Sequence, residues 1–130
     1  MEVVWCFVVW NWHILILKRQ DHKPQPNTWG IPSGKVELWE NLSQAIKREL
    51  LEETWLDIDE KVFLYKKTFA VIHQLGINYH VFFIELKEEV KIIIDINSHK
   101  DFSWISPVEA LKRDDLIQDL DICIKEIFKL

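Results

Sequence analysis

Residues 34–55 read GKVELWENLSQAIKRELLEETW, a glycine turn followed by a segment rich in carboxylates. Asn41 can cap the start of a helix, because Gln44 stands at the third position of a capping box. The apolar residues that follow recur at helical spacing, which predicts an amphipathic helix that runs to about residue 54. The stretch therefore predicts a turn that leads into a helix packed on a core.

Three carboxylates crowd one face of this predicted helix. Glu49 lies three positions before Glu52 and four before Glu53, so the three side chains are neighbours. Near a helix C-terminus each also opposes the helix dipole, by roughly 0.3–1 kcal/mol. A divalent cation such as Mg²⁺ would relieve this repulsion, because it binds carboxylate oxygens together with substrate phosphate. For the triplet taken alone, a solvated acidic face is the alternative.

Two further charged residues stand at a spacing that suggests a bridge. Glu40 lies at the start of the helix, and Arg48 follows eight residues later. An arginine–carboxylate pair there would tie the preceding loop to the helix through the fixed fork of the guanidinium. Gly34 supplies the sharp turn that brings this loop over the helix.

The spacing of these residues resembles the Nudix box of the Nudix hydrolases, G-x5-E-x7-R-E-U-x-E-E-x-G-U with U apolar. Its second glycine is replaced here by Trp55, and the other specified positions match: Gly34, Glu40, Arg48, Glu49, Leu50, Glu52, Glu53 and Leu56. The flanking WGIPSGK resembles the W-x-x-P-G-G-K motif of the family, with Ser33 in place of its first glycine. FSWISPVEAL, near the other end, resembles MutT-like members, so the resemblance covers most of the chain.

The rest of the chain reads as one α+β domain over residues 1–130. The predicted β segments are a hairpin of 3–9 and 13–18, a second hairpin of 61–74 and 77–87 around Gly76, and short strands at 91–96 and 102–105. A helical region begins at Pro107, with an amphipathic pattern from 116 to 128. The resemblance implies the Nudix fold, a mixed β-sheet sandwiched between α-helices.

The resemblance implies an enzyme that uses Mg²⁺, or Mn²⁺, to hydrolyse a nucleoside diphosphate linked to another group. The implied catalytic and metal-binding residues are Glu49, Glu52 and Glu53, with a backbone carbonyl near Ser33 and Gly34 completing the metal coordination. Glu40 and Arg48 would form the structural bridge.

The general base is less well defined by the resemblance. MutT-like members often carry a glutamate six residues before the late tryptophan, which is Trp104 here, and that position is Ser98. The candidates for a base or extra ligand are Asp95, His99 and Asp101. Glu52 or Glu53 is the alternative base, and His99 can also be an ordinary loop residue.

Basic and aromatic residues are candidates for contacts to the substrate. The basic candidates for phosphate binding are Lys18, Arg19 and Lys35, for which solvated loop charge is the alternative. The aromatic candidates for stacking on a base are Trp29, Phe69 and Tyr79, for which core packing is the alternative.

Composition limits the possible partners. The net charge is −5, which disfavours extended binding to a nucleic-acid backbone and favours a small nucleotide substrate, with a capped RNA end as the alternative because only its terminus need enter. Cys6 and Cys123 are isolated in apolar surroundings, which predicts buried free thiols and a cytoplasmic location. The apolar N-terminal run is too short for a bilayer, so we expect no membrane association, and either a monomer or a homodimer.

Two other functions remain open at this point. The chain could be a catalytically silent Nudix-fold module that binds a nucleotide or a protein partner, or a diphosphate-using isomerase on the same fold. Trp55 adds one structural expectation. A left-handed conformation costs a residue with a Cβ roughly 1–2 kcal/mol, so Trp55 is predicted to keep a negative φ and to pack its ring.

Overall fold

A central β-strand organises the molecule, and strands pair with it on both sides. The computed structural model describes residues 1–70 and 76–130. Its strands are β1 (Glu2–Trp10), β2 (His13–Arg19), β3 (Trp29–Gly30), β4 (Ser33–Lys35), β5 (Leu64–Ala70), β6 (Asn78–Leu86) and β7 (His99–Ile105). The helices are α1 (Leu42–Thr54), α2 (Pro107–Ala110) and α3 (Leu120–Phe128), with a 3-10 turn at Glu60–Val62.

The seven described strands form one mixed sheet in the order β3-β2-β1-β6-β5, to which β4 adds on β1 and β7 on β2. β1 and β6 run parallel along their whole length, and the other pairs are antiparallel. Successive side chains of β1 point to opposite faces of the sheet, and all of them from Val4 to Val9 are buried. Strand β1 is therefore covered on both faces. The sheet therefore needs a cover on each side.

Each face of the sheet has its own hydrophobic cluster. On one face Val4, Cys6 and Val8 of β1 pack with Ile46 and Leu50 of α1. On the other face Trp5, Phe7 and Val9 pack with Leu120, Cys123 and Ile124 of α3. This arrangement confirms the predicted α+β fold with its sheet between helices, and both cysteines are buried and free.

The start of α1 follows the sequence prediction. Gln44 donates its backbone N–H to Asn41 Oδ1 at 2.9 Å, and Asn41 donates its own to Gln44 Oε1 at 2.8 Å. Both bonds of the capping box are therefore present, and the helix ends at Thr54, as its apolar spacing predicts.

The predicted strand at 91–96 is wrong. These residues run past the C-terminal end of α1, where Ile93 N–H donates to Thr54 O at 3.1 Å and Asp95 N–H donates to Glu53 O at 3.3 Å. The free carbonyls at the helix end accept hydrogen bonds from these N–H groups. In a strand, the same N–H groups would donate to a neighbouring strand. Ile92 is buried in the cluster under α1.

Two other element boundaries differ from the prediction. The segment at 60–62 forms a 3-10 turn, so β5 begins at Leu64, while the predicted strand residues 71–74 lie outside the described residues. The last helix begins at Leu120 instead of 116, because Trp29 exchanges backbone hydrogen bonds of 2.8 Å with Asp115 and Ile117. No helix in the described part of the chain is long and apolar enough to cross a membrane.

The prediction for Trp55 is also wrong. Its backbone is left-handed, with φ 63° and ψ 14°, and its ring is 67% exposed. The backbone N–H of Trp55 donates to Leu51 O at 3.0 Å, which closes the last turn of α1. The left-handed turn at Trp55 directs the chain so that Leu56 enters the hydrophobic cluster. A glycine at residue 55 would make the same turn without strain.

Candidate active site

Strand β4 and helix α1 meet in a close contact at Gly34. A Cβ built on Gly34 would lie 1.9 Å from Glu49 Cδ, so the carboxylate occupies the space that any larger residue would fill. This contact brings Glu49 against the backbone of strand β4. The predicted sharp turn at Gly34 is wrong, because Gly34 pairs with Val4 inside β4 and has no positive φ; the glycine is needed here for space.

Glu53 lies one turn further along the same helix face. Its Oε2 accepts a hydrogen bond from the backbone N–H of Ser33 at 3.2 Å. Burial of the carboxyl raises the pKa of Glu53 well above its usual range, and the charge of Glu49 adds to this shift. Ionisation of both Glu49 and Glu53 therefore costs free energy, which a nearby cation would offset.

Glu49 and Glu52 differ in exposure. Burial raises the pKa of Glu49, while the guanidinium of Arg48 opposes this shift through a hydrogen bond of 2.7 Å to Glu49 Oε1. Glu52 is the open member of the set, with 55% of its side chain exposed. Arg48 Nη1 reaches its carboxylate only at 3.3–3.4 Å.

Arg48 also binds the loop that precedes the helix. Its Nη2 and Nε donate to the two oxygens of Glu40 at 2.6 and 3.0 Å, which is a bidentate pair. Nη2 donates to Lys35 O at 3.0 Å as well, and Glu37 N–H donates to Glu40 at 2.8 Å. The Glu40 side chain is fully buried, and the Arg48 guanidinium lowers the pKa of its carboxyl. The loop from 35 to 40 is thus fixed to α1.

The donor set fits a hard divalent cation. The carboxylates at 49, 52 and 53 share one helix face, and Gly34 and Ser33 of β4 lie against Glu49 and Glu53. Hard cations take such oxygen donors and leave positions for phosphate. Across residues 1–70 and 76–130, no three acidic, histidine or cysteine side chains already converge as a cation site, since Arg48 engages Glu49 and Glu52.

The turn from Asp95 to His99 lies beside this helix face. Asp95 is held there by its bond to Glu53 O, and its side chain accepts from Asn97 N–H at 3.0 Å and, at 3.4 Å, from Ser98 Oγ. Gln20 Nε2 donates to Ile96 O at 2.8 Å, which fixes the other side of the turn. The fold therefore brings Asp95 next to the carboxylate helix.

His99 and Arg19 pair across β7 and β2 and line a small cavity with Ser33. His99 is buried, and no described group hydrogen-bonds its Nδ1. Burial, assisted by the charge of Arg19, lowers the pKa of His99 to about 4, so the imidazole is neutral at pH 7. The fold thus places His99 in the site, whereas Asp101 is exposed on β7 opposite Lys18.

Arg19 lines a small cavity with Ser33, whose N–H donates to Glu53. Burial lowers the pKa of Arg19, and the charges of Glu53 and Tyr79 act in the opposite direction. Its Nε donates to Pro24 O at 2.7 Å. Arg19 thus shares its cavity with Ser33 on one side and with the ring of Trp5 on the other.

The remaining basic and aromatic candidates either pack against neighbouring side chains or are exposed. Lys18 and Arg113 lie over the ring of buried Trp29, at 5.9 and 5.3 Å from its centroid, so Trp29 packs against cations. Phe69 is half-buried under Lys67, and Lys35 is exposed. Tyr79 is half-buried and contacts the ring of Trp5, with centroids 4.4 Å apart.

Two residues at the site were not found from the sequence. Gln20 clamps the Asp95–His99 turn, and Trp5 supports Tyr79. Trp5 lies in an apolar run that gives no sign of a ligand contact, and nothing in the sequence around Gln20 distinguishes it from other loop residues.

A match to the NUDIX domain family covers residues 1–126. The chain therefore belongs to the Nudix family. No curated protein sequence matches it at a significant level.

Solved structures similar to this chain support a Nudix hydrolase. The bifunctional NMN adenylyltransferase/ADP ribose pyrophosphatase of Francisella tularensis, determined with AMP and an Mn ion, matches with a TM-score of 0.83 and 26% identity. The match covers 98% of this chain and 41% of that protein, so this chain spans about two fifths of its length.

Two less similar structures show the same fold. The NUDIX domain of NrtR from Shewanella oneidensis, complexed with ADP ribose, has a TM-score of 0.82 and 19% identity, covering 99% of this chain and 86% of that one. The MutT protein of Methanosarcina mazei Go1 has a TM-score of 0.78 and 21% identity, covering 99% and 93%.

Proposed function

We propose that this protein hydrolyses a diphosphate linkage in a nucleotide or nucleotide derivative with the help of Mg²⁺ or Mn²⁺. The observation that carries the proposal is the crowding of Glu49 and Glu53 against Gly34 and Ser33, with both carboxyl pKa values raised. Carboxylates held this closely are stabilised by a divalent cation. Nudix hydrolases generally use such cations, and the Francisella relative was determined with AMP and an Mn ion.

Each residue has a proposed role in this reaction. The cation would be held by Glu49, Glu52 and Glu53 with a carbonyl of Ser33 or Gly34, and when bound it neutralises phosphate charge and activates water. Arg48 and Glu40 hold the loop and helix in register. Arg19 is the proposed phosphate contact on the sheet side, because it shares a cavity with Ser33, whose N–H donates to Glu53.

Several groups can take the proton from the attacking water. Glu53 or Glu52 is one candidate, and burial raises the pKa of the Glu53 carboxyl. Asp95 and the neutral His99 flank the same place and are the alternatives. Asp101 is a further candidate for the base, and Lys18, which faces it across β2 and β7, is a second candidate for the phosphate contact.

The second candidate is a catalytically silent module that binds a nucleotide. It is favoured by Ser98, whose hydroxyl donates to Asp95 and offers no carboxylate at that position. Turnover separates the two candidates.

The test is hydrolysis of a substrate panel with Mg²⁺ or Mn²⁺. The panel contains (d)NTPs, oxidised (d)NTPs, ADP-ribose, NADH, dinucleoside polyphosphates and 5′-triphosphate RNA. We expect turnover of at least one compound, abolished in Glu53→Gln and kept in Glu88→Gln, which changes an exposed loop carboxylate. Binding of a nucleotide without turnover of any compound would favour the silent module.

The setting of this activity is proposed from the composition. The buried free thiols of Cys6 and Cys123 suit a cytoplasmic protein, and the net charge of −5 suits a small nucleotide substrate. We propose that it acts as a monomer or homodimer without membrane contact.

A further inference from the structure

Trp55 combines two features that each cost free energy. Its backbone is left-handed at φ 63°, a region that L residues other than glycine rarely adopt. Its indole is 67% exposed, so the ring gains little from burial in the protein. The burial of Leu56 accounts for the left-handed turn, so the exposed indole beside the site is the feature that suggests a ligand contact.

The ring lies at the edge of the carboxylate site. Trp55, Leu51 and Glu52 line an open cavity of about 290 Å³ on the surface of α1. Glu52 is the most open of the three clustered carboxylates, and it lies three residues before Trp55 on the helix. The cavity therefore has an apolar wall next to an oxygen donor of the proposed cation site.

Glu53 and Glu52 share one face of α1 but have different neighbours. Glu53 accepts from Ser33, which lines a small cavity with Arg19 and Trp5, and the ring of Trp5 contacts Tyr79 on the sheet. Glu52 lies on the flank of α1 that leads to Trp55. A diphosphate held between them would send one substituent toward Tyr79 and the other past Glu52 toward the indole.

We propose that Trp55 is a specificity-determining residue that stacks on an aromatic ring system carried by the second phosphate of the substrate. This inference rests on the proposed function and narrows its substrate class. The favoured substrate is a diphosphate with an aromatic base on both sides, in preference to one whose second phosphate ends in a sugar. A flat indole suits this task, because every base has a π-face on which it can stack.

The test compares two compounds that share one half. Diadenosine diphosphate and ADP-ribose both contain adenosine diphosphate, and only the first carries a second adenine. In Trp55→Gly we expect KM for diadenosine diphosphate to rise about tenfold, the usual size of one lost stacking contact, with little change in kcat. KM for ADP-ribose should stay within about twofold. Trp55→Phe should keep most of the affinity for diadenosine diphosphate.

Trp12 provides a matched control. It also has φ 63° and an exposed ring, at 86%, but it lies in the β1–β2 turn, seven residues beyond Trp5, the β1 residue that pairs with Ser33. Trp12→Gly removes an exposed indole and the same kind of backbone strain without touching the carboxylate site. It should leave both KM values unchanged.

Two results would overturn the proposal: equal effects of Trp55→Gly on the two compounds, or no effect on either. If the wild-type protein hydrolyses neither compound, calorimetric titration of both in the presence of Mg²⁺ decides the stacking separately. Tighter binding of diadenosine diphosphate that is lost in Trp55→Gly would support it. Equal affinities in both proteins would refute it.

Discussion

The carboxyl group of Glu49 occupies the space in which a Cβ on Gly34 would lie, since that Cβ would stand only 1.9 Å from Glu49 Cδ. This contact joins strand β4 to the carboxylate helix. It also explains in spatial terms why the first position of the box requires glycine.

Gly34→Ala should therefore displace Glu49 and remove most of the activity. We expect kcat/KM to fall at least about a hundredfold and the free energy of unfolding to fall by about 1–3 kcal/mol, the usual cost of overpacking. The measurements are steady-state kinetics and urea denaturation. Gly30→Ala is the control, because its Cβ would stand at an ordinary 3.4 Å from Ile117. Equal losses in the two variants would contradict the spatial explanation.

The pair of Glu40 and Arg48 should contribute strongly to stability. Glu40 is fully buried, and its carboxylate receives both the Arg48 fork and the Glu37 N–H. Arg48→Ala leaves a buried charge without its partner, which costs about 3–5 kcal/mol in such pairs. Urea denaturation measures this loss. Lys112→Ala, which breaks the exposed pair with Glu109, should cost at most about 1 kcal/mol.

The helix of the site could be predicted because its information is local. The Asn41–Gln44 cap, the shared face of the glutamates and the Glu40–Arg48 spacing are all relations between residues less than three turns apart. Helix geometry converts such spacings directly into contacts. These contacts are present in the structure.

The rest of the site depends on contacts between distant segments. The run at 91–96 has the composition of a strand, but its N–H groups are taken by the carbonyls at the end of α1. His99 enters the site through its pairing with Arg19, and Gln20 fixes the turn before it. The left-handed Trp55 follows from the burial of Leu56. None of these partners is visible from spacing in the sequence.

His99 should make stability depend on pH. Its pKa is lowered from 6.5 to about 4 in the folded protein, so the unfolded chain binds a proton more readily between these values. The contribution is fully present above pH 6.5 and is lost as the pH falls toward 4, up to about 3 kcal/mol. Urea denaturation at pH 7.5 and 5 should show a drop that is smaller in His99→Gln. Replacement of the exposed loop residue His22 by Gln should leave the drop unchanged.

The strain at Trp55 should be measurable apart from any ligand. Trp55→Gly removes a left-handed Cβ worth about 1–2 kcal/mol, and the greater freedom of glycine in the unfolded chain offsets part of this gain. We expect a net increase of about 0.5–1 kcal/mol in the free energy of unfolding. Trp55→Ala keeps the Cβ in the same conformation, so it should not gain stability. Because the ring is exposed, its removal alone costs little. Chemical denaturation of the three proteins separates the two effects: a gain in both variants would assign the cost to the exposed indole, and a gain in Trp55→Gly alone assigns it to the backbone.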